Sequence, residues 1–159
     1  MTIQDLGSLG ELIAAVATVA TLGYLAIQIR QNTQATRASS VHDAGAGLVN
    51  AVSLMSQNPQ NADVTHRGLF SYDDLSESEQ THFIFMLSVA YSHFDAMYWA
   101  HRAGTLPPEV WEREQSLLRF YLSTPGGLRA WQAVLRNLAT RPFAEFAEAT
   151  IRSDGRPAA

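Results

Sequence analysis

The stretch Glu11–Arg37, ELIAAVATVATLGYLAIQIRQNTQATR, decides how the rest of the chain is interpreted. From Leu12 to Ile27 it carries no charge, and only two threonines, a glycine and a tyrosine interrupt the aliphatic and alanine residues. Extended to residues 8–29, the run forms roughly 33 Å of helix at about 1.5 Å per residue. That length crosses a hydrocarbon core of roughly 30 Å. The stretch therefore predicts a single-pass transmembrane helix, and a buried helix of a soluble bundle, favoured by the high alanine content, is the alternative.

The charges that flank this run predict its orientation. Arg30 and Arg37 follow it closely, and no Lys or Arg precedes it. Since positive residues stay on the cytoplasmic side, we expect the N-terminus outside and the remaining chain in the cytoplasm. All 11 basic residues are arginine, which is typical of a GC-rich bacterial genome, so the predicted location is the bacterial inner membrane.

One face of the predicted membrane helix consists of small residues, which we call the small-residue seam. They recur at alternating spacings of three and four, and therefore share one side of a helix. Small side chains let two helix backbones approach closely, which is a main source of helix association in lipid. The seam predicts an interface with a second copy or with another membrane protein. Its members are Gly7, Gly10, Ala14, Ala17 and Thr21.

Composition excludes several classes of function. The chain has no cysteine, so disulfides, thiolate metal sites and cysteine nucleophiles are excluded. Its formal net charge of −4 argues against a nucleic-acid-binding protein, which normally presents a basic face. Hydrophobic residues make up 47% of the chain. Charged residues make up 16%, which is below the roughly 25% usual in soluble domains. A long uncharged membrane segment would produce this composition.

The remaining chain predicts an all-α architecture, because no window alternates as a strand does. No Gly or Pro separates Arg30 from Gly45, so the first helix is expected to continue through a polar stalk. The predicted organisation is a membrane anchor at residues 1–29, a helical stalk at 30–40, a cytoplasmic bundle of four or five helices at 41–152, and a disordered tail at 153–159.

The central helix has the clearest sequence signals. Ser76 and Glu79 form a capping-box pattern before a long apolar face, and Gly104 marks its end. Residues 83–100 are long enough to cross a membrane, but a histidine and an aspartate within them favour a helix of a soluble domain. Before this helix, residues 60–74 are ambiguous and predict one or two helical turns.

Two further breaks divide the C-terminal part into three helices. The breaks are Ser123 to Gly127 and the pair Arg141-Pro142. The three tryptophans of the chain are expected to anchor the core. A solvated acidic face at a helix start, where negative charge suits the helix dipole, is predicted for Glu109, Glu112 and Glu114.

Several packing motifs resemble those of a family of short uncharacterised bacterial proteins. They are YLAIQIRQNT after an apolar run, a helix that ends in FDAMYWAHRAG, and later W…L…YLSTPGG…W and F…F. The resemblance covers most of the chain and rests on aromatic and glycine positions. It implies an N-terminal hydrophobic helix followed by a helical domain, and it implies no activity.

Four side chains are candidates for chemistry on the central helix. Glu79 and His82 form a Glu-x-x-His pair, the element that di-iron bundles use twice, although Glu79 is already explained as a capping residue. His93 and Asp95 interrupt an apolar face, and hydrogen bonds with a neighbouring helix or an Asp95–Arg pair are the simpler interpretation. A catalytic use of His93 and Asp95 would require a nucleophile that no motif supplies.

These observations predict a non-enzymatic, membrane-anchored assembly or adaptor protein without a cofactor. Its expected partners are the lipid bilayer and a second copy or another membrane protein, and not nucleic acid. One alternative is a small helical metal-binding or hydrolytic domain that uses Glu79, His82, His93 and Asp95. Another is a soluble bundle in which the first helix is a core element or a dimer interface.

Overall fold

A computed structural model describes residues 3–153 and 155, without the side chains of residues 3–6, 8 and 9. Within this part of the chain every regular element is a helix and no strand occurs, so the predicted all-α class is confirmed. Of the predicted tail, Ser153 is the last residue of a helix, and Gly155 lies in a turn. The other tail residues lie outside the described part.

The chain divides into two compact units, residues 1–38 and 39–159. Helix α1 begins in the first unit and ends in the second. The elements in chain order are α1, Ile3–Ser56; α2, Pro59–Phe70; a 3₁₀ turn, Tyr72–Asp74; α3, Glu77–Arg102; α4, Pro108–Ser123; α5, in the consecutive pieces Pro125–Ala130, the π turn Trp131–Leu135 and Arg136–Leu138; and α6, Arg141–Ser153.

The first unit is formed by the N-terminal part of α1. The helix continues without interruption through the predicted stalk. Its threonine hydroxyls are satisfied within the helix, since Thr18 donates to the Ala14 carbonyl and Thr21 to the Ala17 carbonyl, each at 2.8 Å. A threonine bonded in this way presents no unpaired hydroxyl to an apolar environment.

Large apolar side chains of this unit are exposed on every side of the helix. An 18-residue window within Gly10–Ser56 has a mean hydropathy of 2.0, and none of it is buried. By length and composition, this helix could cross a membrane. The exposed fractions range from 45% to 70% for Leu12, Ile13, Val16, Val19, Leu22, Tyr24, Leu25, Ile27 and Ile29.

In the second unit, the predicted start and end signals of α3 are confirmed. The Ser76 hydroxyl accepts from the Glu79 backbone N–H, and the Glu79 carboxylate accepts from the Ser76 N–H, which completes the capping box. Gly104 has a φ of 71° just beyond the end of the helix, a conformation that favours glycine. The apolar face of α3 is buried as expected: Phe83, Met86, Leu87, Ala90, Phe94, Met97 and Tyr98.

Two predictions around α3 were wrong. The segment 60–74 was expected to form one or two helical turns, but it contains most of the 12-residue helix α2 and the 3₁₀ turn Tyr72–Asp74. Helix α2 is capped by the Asn58 side chain, and capping and packing stabilise it although its residues are mostly polar. Trp111 and Trp131 are buried in the core, but Trp99 is 46% exposed, and its indole N–H donates to the Thr140 hydroxyl at 3.1 Å.

The glycine pair after Thr124 has a packing role that differs from the predicted turn. Only Thr124 separates α4 from α5, and both glycines lie inside α5. A Cβ on Gly126 would lie 1.6 Å from the carbonyl oxygen of Gly68 on α2. Helices α2 and α5 therefore pack with their backbones in direct contact, which requires glycine at the crossing.

Candidate functional site

The predicted Glu79–His82 pair is engaged in structural contacts. The Glu79 carboxylate lies 2.6 Å from Arg67 of α2 and also caps α3. The Arg67 guanidinium and hydrogen bonds from Ser76 lower the pKa of Glu79 to about 2. The His82 ring Nε2 lies 3.2 Å from the Asn61 side-chain oxygen, so each member of the pair has its own partner on another element.

His93 and Asp95 contact different helices. His93 Nε2 lies 2.9 Å from Glu114 Oε2 on α4. The Asp95 carboxylate accepts from the Thr140 backbone N–H and hydroxyl, each at 2.7 Å. The expected hydrogen bonds to neighbouring helices are present. Among the described residues no arginine pairs with Asp95, whose carboxylate instead binds Thr140 at the start of α6.

The structure thus places the four candidate residues in separate contacts along α3. Among the described residues no group of three or more histidine, aspartate or glutamate side chains could hold a metal ion. The four side chains supply a helix cap and links between helices.

The most unusual charged group of the bundle is Glu114, which the sequence interpretation placed on a solvated face. That prediction was wrong, since the residue is 0% exposed. Burial raises the pKa of its carboxyl, but hydrogen bonds from His93 and Arg113 outweigh burial and hold the pKa below its ordinary value. The Arg113 guanidinium reaches Glu114 Oε1 at 2.7 Å. Glu114 is therefore a buried carboxylate that two side chains, His93 and Arg113, hold by hydrogen bonds.

A glycine on α1 leaves space for the His93 ring that binds Glu114. A Cβ built on Gly47 would lie 2.3 Å from His93 Nδ1. The imidazole consequently packs against bare backbone on one side and binds Glu114 on the other. The sequence spacing could have indicated that Glu114 is buried, because Trp111, Glu114 and Leu118 lie on the same buried stripe of α4.

The small-residue seam lies on the first unit. A Cβ built on Gly7 or Gly10 would meet no atom within 4 Å, and Ala14, Ala17 and Thr21 are exposed. This face therefore has the space that close approach of another helix requires.

Comparisons with protein-family models, with curated proteins and with solved structures each find no match. The resemblance to short uncharacterised bacterial proteins therefore stays a prediction.

Proposed function

We propose that this chain is a non-enzymatic, membrane-anchored assembly or adaptor protein. One observation carries the proposal. The apolar segment of α1 has the length and hydropathy of a membrane span, and none of its best 18-residue window is buried. A helix that is apolar on every side requires an apolar environment all round.

The free energy involved favours a lipid environment. The exposed apolar side chains of the first unit are all large. Covering a side chain of this kind contributes about 1.5–3 kcal/mol, so the group together represents on the order of 15 kcal/mol. Since lipid covers all sides of a single helix at once, insertion into a bilayer is the simplest way to gain this stabilisation.

The orientation follows from the flanking charges. Arg30 and Arg37 follow the apolar segment, and no Lys or Arg precedes it. The positive-inside rule then places the N-terminus outside and the second unit in the cytoplasm. We assign the protein to a bacterial inner membrane on this pattern and on its exclusive use of arginine.

The small-residue seam is the proposed contact with a second copy or with another membrane protein. Gly7 and Gly10 leave space beside the backbone. Thr21 directs its hydroxyl to the Ala17 carbonyl of its own helix, so no polar group on this part of the seam needs a partner across the interface. Helix contact through such a face rests on close van der Waals packing.

The second unit supports a structural role for the bundle. Its histidine and acidic candidates are engaged in contacts between helices, as with His93 and Glu114 and with Asp95 and Thr140. These contacts stabilise one arrangement of the helices. A module that presents a surface to a partner requires such a fixed arrangement.

Paired arginine substitutions test the membrane span. Val16→Arg combined with Val19→Arg places two charges within the span, at about 2.5–3.5 kcal/mol each. We expect this variant to leave the carbonate-extracted membrane pellet. The matched control, Gln31→Arg with Gln34→Arg, adds the same charge beyond the span and is expected to stay in the pellet. An unmodified chain that is soluble without detergent would contradict the proposal and support the soluble-bundle alternative.

A further inference from the structure

In the second unit, helix α1 carries two apolar faces, and the bundle covers one of them. The covered face consists of the buried residues Ala44, Ala51 and Met55. The other face, which we call the valine face, consists of Val41, Val49 and Val52, which are 41%, 65% and 49% exposed. Apolar residues of a surface helix normally form a single stripe that faces the core. The valine face therefore indicates a second contact of α1.

The polar residues of this part of α1 lie on another side of the helix. Asp43 is the only charged residue between Arg37 and Ser56 in the sequence. At about 100° per residue, Asp43 and the exposed Asn50 are turned well away from Val49 and Val52. The valine face thus has no charge that would repel an apolar neighbour.

Val49 and Val52 keep the spacing of the small-residue seam. Counted along the sequence in steps of seven, Val49 falls in line with Gly7, and Val52 falls in line with Gly10. A strict seven-residue repeat follows one contact when two helices wind around each other in a left-handed supercoil. The repeat therefore indicates that α1 pairs with another helix. The positions that continue the alternation between the seam and the valines are Tyr24, Gln28, Gln31, Ala35, Ala38, His42 and Gly45.

Symmetry favours a second copy of this chain as the partner. In a parallel two-fold pair, a residue at the contact meets its own counterpart, so a charged residue there would face a like charge. None of the repeat positions from Gly7 to Val52 is an acidic residue or an arginine. A β-branched residue at the first of the two core positions, which is that of Val49, favours pairs of helices.

Polar residues within the repeat restrict how two such helices can align. Gln28 donates to the Tyr24 hydroxyl of its own helix at 2.8 Å, so this amide is partnered before any pairing. A polar residue at a core position specifies the register of a coiled coil at a cost in stability. Gln31 and His42 occupy such positions and would favour the register in which each meets its own copy.

We propose that α1 pairs in parallel with α1 of a second copy, and that Val49 and Val52 form the contact within the second unit. The inference rests on the proposed function in one respect, since the small-residue seam supplies the membrane part of the same contact. It commits the seam to a second copy of this chain and extends the pairing beyond the proposed membrane span.

Single-cysteine crosslinking of the full-length chain tests this pairing. Under a mild oxidant, Val52→Cys should give a product of twice the chain mass, in at least about five times the yield of Asn50→Cys, because a disulfide requires Cβ atoms about 3.5–4.5 Å apart. Equal yields from the two variants, no product, or a product of another mass would overturn the proposal.

The test also separates this inference from the proposed function. The crosslinking is carried out on whichever fraction contains the protein. A soluble chain in which Val52→Cys crosslinks would contradict the membrane anchor and support the pairing. Crosslinking of Ala17→Cys in membranes without crosslinking of Val52→Cys would support the seam and overturn the pairing in the second unit.

A charge on the valine face provides a second test. In the Val52→Cys background, Val49→Glu should lower the yield of crosslinked product at least about fivefold, because two like charges would meet at the contact. The matched control Asn50→Glu should leave the yield unchanged. Val49 is exposed within one copy, so the circular dichroism of the Val49→Glu variant should show the helix content of the unmodified chain. Equal yields in the two double variants would overturn the assignment of Val49.

Discussion

His93 Nε2 lies 2.9 Å from Glu114 Oε2, and the two side chains are 7% and 0% exposed. A carboxylate in such a place is strongly destabilising unless it is paired and hydrogen-bonded. Here the imidazole of α3 and the Arg113 guanidinium provide the two partners, and Gly47 of α1 leaves the space that the imidazole occupies. This contact joins three helices of the second unit.

Replacement of Gly47 tests the close approach of the His93 ring to the backbone of α1. Gly47→Ala should lower the free energy of unfolding of the bundle by about 1–3 kcal/mol, the usual cost of overpacking, because the new methyl group displaces the His93 ring. Urea unfolding followed by circular dichroism measures this change. The matched control is Gly45→Ala on the same helix, where a Cβ would meet no atom within 4 Å. The control should gain about 0.5–1 kcal/mol from helix propensity, and equal losses in both variants would contradict the packing account.

The charge of Glu114 is expected to contribute to stability above acidic pH. Its pKa in the folded chain lies below the ordinary value of 4.5, so the folded state takes up this proton at lower pH than the unfolded state. The resulting stability is fully present above about pH 5 and is lost as the pH falls through the folded pKa. Glu79, with a pKa of about 2, adds a second loss of stability as the pH falls.

The variant Glu114→Gln isolates the buried group. We expect it to lower the free energy of unfolding at pH 7 by about 2–3 kcal/mol and to flatten the decline in stability as the pH falls below about 5. The exposed neighbour provides the control, since Glu112→Gln should change stability by less than about 0.5 kcal/mol. An unchanged pH profile in Glu114→Gln would show that the pair contributes no net stability.

Cysteine crosslinking tests the small-residue seam, and the absence of natural cysteine makes single-cysteine variants free of background. Ala17→Cys should form a disulfide-linked dimer in membranes under a mild oxidant if the seam joins two copies. Val19→Cys lies at nearly the same depth on the opposite face and should crosslink several-fold less. Equal crosslinking at both positions would exclude a defined interface, and no crosslinking at either would favour a different membrane partner.

Metal addition tests the alternative of a metal-binding domain. Zn²⁺, Mn²⁺ or Fe²⁺ should leave the thermal unfolding midpoint unchanged, because Glu79, His82, His93 and Asp95 bind separate partners in the structure. A ligand at about 100 times its dissociation constant would stabilise by about 2.7 kcal/mol, which a thermal scan detects. A metal-dependent rise that EDTA reverses would restore the alternative.

The α3 helix could be predicted from sequence because its signals agree at every level. The capping box, the apolar spacing and the terminal glycine all indicate the same element. Helix α2 was underestimated because few of its residues are apolar, and its stability depends on the Asn58 cap and on packing around Gly68. Such contacts join residues that are distant in sequence.

Glu114 shows why the charged contacts were harder to predict. Its spacing from Trp111 and Leu118 is that of the buried stripe of α4, but an acidic residue near a helix start is usually solvated, so the sequence alone predicts an exposed position. Its partner His93 lies on another helix, and the space for that partner depends on Gly47. No local pattern contains all of these relationships.

Two-sided labelling tests the claim that α1 crosses the membrane most directly. Thr2→Cys and Ser116→Cys are expressed separately, and an impermeant maleimide is added to intact spheroplasts and then to lysed cells. The account predicts that Thr2→Cys is labelled in intact spheroplasts and that Ser116→Cys is labelled only after lysis. Labelling of both positions on the same side of the membrane, or recovery of the protein in the soluble fraction, would contradict it.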